Sequence, residues 1–91
     1  MIKLSKTLHN MASRRGIVID VVTLQDRIGR DFEALDIGNE EYPEVCAFYR
    51  ISDDGFYFDC ASWQCEDWPG WIRDEAHLRT LLDDMSAELK S

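Results

Sequence analysis

Three cysteines and two histidines stand out as groups that could bind a metal or attack a substrate in this 91-residue chain. Two of the cysteines fall inside CASWQCEDWPGW, residues 60 to 71, together with three tryptophans, two acids and a Pro-Gly pair. Zinc needs four ligands converging on one point, and structural sites usually draw them from two tight pairs of the C-x-x-C kind. Cys46, Cys60 and Cys65 are separated by thirteen and four intervening residues, and His9 and His77 supply no second tight pair. A metal centre is therefore not expected. Thiol catalysis would need a thiolate stabilised by a cation or a helix N-terminus. Cys65 precedes a C-terminal helical segment that contains His77, but Glu66, Asp67 and Asp74 crowd the same stretch with negative charge and raise a thiol's pKa.

Paired carboxylates offer acid–base chemistry. Asp53 with Asp54 and Asp83 with Asp84 are adjacent acids on a turn and on an amphipathic helix, which is the ordinary pattern of a solvated surface. The chain has no glycine-rich phosphate loop, Ser-His-Asp signature or H-E-x-x-H motif. The reading is of a binding protein rather than an enzyme, with no cofactor and no metal.

Charge points the same way. The formal net charge is -8, but residues 1 to 30 hold six Lys or Arg against two Asp, a local +4, while residues 31 to 91 hold four basic against sixteen acidic side chains, a local -12. Phosphates repel such a surface, so the larger part of the chain is not expected to touch DNA or RNA directly. It is suited to steering toward a basic protein surface, such as one that itself holds nucleic acid. There is no apolar run of membrane-spanning length, and MIKLSKTLHN has charges where a signal peptide carries its apolar centre. The expected location is the cytoplasm, with the three thiols reduced.

The elements that must position these residues make one domain, residues 1 to 91. Leu4, Leu8 and Met11 recur at helical spacing and predict a helix over 4–14, closed by Gly16. Val21, Leu24, Ile28, Phe32 and Leu35 share one face of a second helix, about 21–36, although IVIDVV is β-branched and Gly29 is unfavourable inside a helix. Two such helices covering a sheet are favoured over a DNA-binding helix-turn-helix using Arg27 and Arg30.

VCAFYRISDDGFYFDCASWQ predicts a β-hairpin turning at Asp54-Gly55, with Arg50 opposite Asp59. That register turns Val45, Ala47, Tyr49, Ile51, Phe56, Phe58 and Cys60 toward the core. The other face carries Cys46, Phe48, Arg50, Ser52, Tyr57, Asp59, Ala61 and Trp63, and it mixes aromatic and charged groups as partner surfaces do. Cys60 is thus expected inside, Cys46 and Cys65 half-exposed, and Cys46 on the face opposite Cys60. Pro69-Gly70 turns the chain, Trp71 packs as a staple on the next helix, and Trp63 with Trp68 stays exposed. Asp74 caps a helix over 75–89 whose stripe is Leu78, Leu81, Leu82, Met85 and Leu89.

The expected fold is α+β: two N-terminal helices, a hairpin that a strand from 17–22 or 32–37 extends to a three-stranded antiparallel sheet, and a C-terminal helix packed on it. In size, acidity and α+β pattern the chain is similar to the small acidic inhibitors that phages and mobile elements use against host nucleic-acid-handling machinery, and to immunity proteins that cap toxins. This is a likeness of character rather than of motif. The likeness implies a non-enzymatic inhibitor or adaptor that mimics nucleic acid toward a basic partner, and the acidic segment with its exposed aromatics offers as contacts Glu40, Glu41, Asp53, Asp54, Tyr57, Trp63, Glu66, Asp67, Trp68, Asp83 and Asp84. Homodimerisation through the hairpin edge or the Trp loop is the alternative.

Overall fold

The computed structural model describes residues 4–42, 44–62 and 65–90. Their order is α1 (Lys6–Arg14), β1 (Ile17–Gln25), β2 (Asp31–Asn39), β3 (Cys46–Ser52), β4 (Gly55–Ala61), β5 (Trp71–Ile72) and α2 (Glu75–Lys90). The strands form one antiparallel meander in sequence order, β1-β2-β3-β4-β5. The α+β class and the antiparallel sheet hold as expected, but among the described residues the sheet has five strands and is flanked by two helices, not three.

The second N-terminal helix does not exist. Residues 21–36 instead belong to a β-hairpin in which β1 and β2 pair along all nine residues, from Ile17 opposite Asn39 to Gln25 opposite Asp31. Local chemistry explains the outcome. Asp26 Oδ1 accepts the backbone N–H groups of Ile28 and Arg30, each at 3.0 Å, and Gly29 takes φ +82°, which a helix interior forbids. The β-branched residues on either side then fit a pleated surface better than a helix. Both segments named as a third strand, 17–22 and 32–37, are strands.

The β3–β4 hairpin is present, but its register differs. Ser52 faces Gly55, so the turn residues are Asp53 and Asp54, and Arg50 faces Tyr57 rather than Asp59. Pairing then slips: Tyr49 faces Phe58 but Phe48 faces Cys60, leaving Asp59 as the extra residue of a bulge. One extra residue exchanges the two faces beyond it. Ala61 therefore points inward and Cys60 outward.

Both helices lie on one face of the sheet. Leu8 and Ala12 of α1 and Leu78, Leu82, Met85 and Leu89 of α2 meet Ile17, Ile19, Leu35, Ile37, Ala47, Tyr49, Phe56 and Ile72. The predicted stripe of α2 is thus its buried stripe, and Asp74 caps it, its Oδ1 accepting His77 N–H at 2.8 Å. Ser5 caps α1 by accepting Leu8 N–H at 3.1 Å. Polar ties join the helical layer: Ser5 N–H donates to Glu75 Oε1 at 2.7 Å, Ser86 Oγ to Arg15 O at 3.1 Å, and Arg15 pairs with Asp83 at 2.7 Å.

Two aromatic expectations are corrected here. Trp68, expected exposed, is 7% exposed and belongs to the core. Trp71 is no staple: it lies on β5 opposite Tyr57, 44% exposed, with Nε1 donating to Asp54 O at 3.2 Å, while its neighbour Ile72 fills the core.

Candidate functional site

Strand alternation leaves the opposite face of the sheet without a helix. Following the pairings across the strands, one row of that face reads Asp20, Asp36, Phe48, Cys60, and the next reads Val22, Ala34, Arg50, Tyr57, Trp71. Val18, Gly38 and Cys46 flank the first row, and Leu24 and Phe32 flank the second. Among the described large apolar side chains, Val18, Tyr57 and Trp71 of this face are 42%, 39% and 44% exposed.

The charges of the face are unevenly satisfied. The Arg50 guanidinium lies on the Phe32 ring, 3.8 Å from its centroid, a cation–π contact that pins the side chain flat. Asp20 and Asp36 stand directly opposite each other across β1 and β2, a like-charge pairing that costs stability. Burial first, and then Asp20, push the Asp36 carboxyl above its ordinary value. Among the described residues the ion pairs are Arg15 with Asp83 and Arg73 with Asp74, so no cation within ion-pair distance neutralises these two acids. At the far end of the second row, Tyr57 OH donates to Asp54 Oδ2 at 2.8 Å, which holds the Asp54 carboxyl below its ordinary value and the Tyr57 hydroxyl above.

The predicted site residues fall into separate groups. Asp53, Asp54 and Tyr57 share the β3–β4 turn and the uncovered face. Glu40 and Glu41 edge a recess of about 420 Å³ with Arg15, Gly16, Asn39 and Tyr42. Asp67, Trp68 and Asp84 line a second recess of about 340 Å³ with Pro69, Leu81 and Met85, and Glu66 adjoins it in sequence. Asp83 is engaged by Arg15. Trp63 lies outside the described residues. Asp20, Asp36, Phe32 and Trp71 were missed, because a helix over 21–36 and a staple at 71 scatter them. The signal was there in the alternation of Ile17, Ile19 and Val21 with Val18, Asp20 and Val22.

The thiols do not form the pattern expected of them. Cys60 is exposed rather than core, Cys65 is fully buried rather than half-exposed, and only Cys46 is intermediate. Cys46 and Cys60 share the uncovered face, since Cys60 opposes Phe48 and Cys46 lies two residues before it. All three thiols are held above their ordinary pKa, mainly by burial, with Asp36 adding to the effect at Cys46 and Asp59 at Cys60. They are correspondingly poor nucleophiles. His77 is occupied by the start of α2, its Nδ1 accepting Arg73 N–H at 3.0 Å. Among the described residues no group of three or more His, Cys, Asp or Glu converges to hold a metal ion, and no helix is long and apolar enough to cross a membrane.

No protein-family model, curated protein or solved structure matches the chain.

Proposed function

We propose that the chain is a non-enzymatic protein-binding domain, an inhibitor or adaptor that docks the uncovered face of its sheet on a basic surface of a partner, of the kind that holds nucleic acid. One observation carries the reading. The face opposite the helices combines exposed aromatic and aliphatic groups with Asp20 and Asp36, which repel each other and, among the described residues, have no cation within ion-pair distance. Exposed aromatic groups are enriched at interface centres, and an acid covered there requires a cation from the partner. A Lys or Arg brought by the partner would relieve that repulsion, so the strain of the free chain becomes affinity in the complex. Overall charge of -8 adds steering toward such a partner and keeps nucleic acid away. A host nucleic-acid-handling protein and a nuclease toxin offer the same basic chemistry, so the one surface serves inhibition and immunity alike.

The test compares equal losses of charge at Asp36 and Asp84, on opposite sides of the molecule, and truncates one aromatic of the uncovered face. Asp36→Asn and Tyr57→Ala are each expected to weaken the complex about tenfold or more, whereas Asp84→Asn, on the helical layer, leaves it within about twofold. Binding should also weaken as salt rises. Affinity that is flat with salt, or more sensitive to Asp84 than to Asp36, contradicts the proposal.

A further inference from the structure

The sheet has two unequal edges. One is β5, two residues long and bounded by Pro69 and Gly70 before it and the α2 cap after it. The other is β1, nine residues of sequence IVIDVVTLQ, and among the described residues no segment pairs with its outer side. A strand at an edge presents a row of unpaired N–H and C=O groups, and proteins normally blunt such edges with proline, lysine, a bulge or a short strand. β1 has no proline, no lysine and an unbroken register against β2, so that Asp20 is its only charged guard over nine residues.

We propose that β1 is a pairing edge and that a second copy of this chain occupies it, antiparallel, joining two five-stranded sheets into one. The sequence of the strand admits this occupant, since Asp20 then meets Val22 and no second acid, and it sets the register. Two copies related by a two-fold axis keep both helical layers on one side only if the paired residue numbers sum to an even value, because side chains alternate along a strand. The register about Val21 meets that condition and also overlaps all nine residues, from Ile17 opposite Gln25 to Gln25 opposite Ile17. It sets Val21 against itself, Val18 against Leu24, Ile19 against Thr23 and Asp20 against Val22. The neighbouring register about Asp20 would instead oppose two carboxylates, which disfavours it. Full overlap, matching faces and the absence of a like-charge pair thus coincide at one position. The pairing leaves the proposed docking face open and makes it continuous across both copies, so it stands independently of that proposal.

Sedimentation from micromolar to millimolar chain tests it. A dimer is expected, and because each copy carries -8, it should tighten as salt is added, the sign opposite to docking on a basic partner. Val22 faces Ala34 on the uncovered face, where a polar head can reach solvent. Val22→Asp places two new carboxylates opposite the partner copy's Asp20 and is expected to loosen the dimer about tenfold. Val22→Lys places ammonium groups there and is expected to hold or tighten it. A chain that is monomeric throughout overturns the proposal, as does a dimer that responds alike to both substitutions. If the aspartate variant does not fold, the lysine variant still decides: loosening of its dimer overturns the register.

Discussion

Asp36 is held in the folded chain at a cost, and its titration makes the cost measurable. Its folded carboxyl binds a proton more readily than the unfolded one, because burial and the facing Asp20 disfavour the charge. The folded state therefore holds more protons than the unfolded state in the window just above the ordinary value of 3.8, and stability falls as pH rises through it. Asp36→Asn removes both the charge and that slope. At neutral pH the variant is expected to be more stable by about 0.5 kcal/mol, the scale of one like-charge cross-strand pair, and its denaturant midpoint should vary less with pH above 3.8. An unchanged or lower midpoint contradicts this. The same substitution is expected to weaken partner docking, and gain of stability with loss of binding is the signature of a site kept for function.

At the scale of elements, the β3–β4 turn shows how little space decides a register. Gly55 has φ +142°, and a Cβ there would run into Trp71 Nε1 and come within 2.6 Å of Ile72 O, so β5 can close on β4 only over a residue without a side chain. Gly55→Ala is expected to destabilise the chain by about 1–3 kcal/mol through overpacking and backbone strain, read as a lower denaturant midpoint; a shift below a few tenths of a kcal/mol contradicts the account. The aspartates, not the glycine, make the turn, which the Asp-Gly signal conceals. α2 was legible in full because Leu78, Leu82, Met85 and Leu89 repeat at helical spacing behind a capping Asp74. The first hairpin was not, because Leu24, Phe32 and Leu35 of its two strands share a helical spacing with Ile28, which belongs to the turn between them. What decided between them was the Asp26 side chain with Gly29, a local turn whose two strands find their partners only in the complete sheet. The phase of Cys60 was illegible for a different reason: the bulge at Asp59 leaves no mark in composition, yet it exchanges the faces of every residue after it in β4.

For the molecule as a whole, two layers divide the work. The helical layer supplies the core and carries much of the exposed acid, including Asp83 and Asp84, while the uncovered face of the sheet carries aromatics, one stacked arginine and a repelling acid pair. Half of that surface was readable beforehand, since Phe48, Arg50 and Tyr57 alternate away from the core in β3 and β4. The other half depended on placing β1 and β2 beside them. CASWQCEDWPGW, the most conspicuous stretch, is largely structural where it is described: Cys65 and Trp68 are buried, and Tyr49 OH donates to Pro69 O at 2.7 Å, anchoring the passage to β5. The central claim is that the partner meets the sheet and not the helices. A photoreactive side chain placed at Tyr57, and separately at the exposed Ala76 of α2, followed by irradiation in native lysate, tests it directly. The account predicts an adduct with a basic nucleic-acid-binding protein from position 57 that added duplex DNA abolishes, and none from position 76. Adducts from position 76 alone, or an adduct at 57 that nucleic acid leaves untouched, would contradict it.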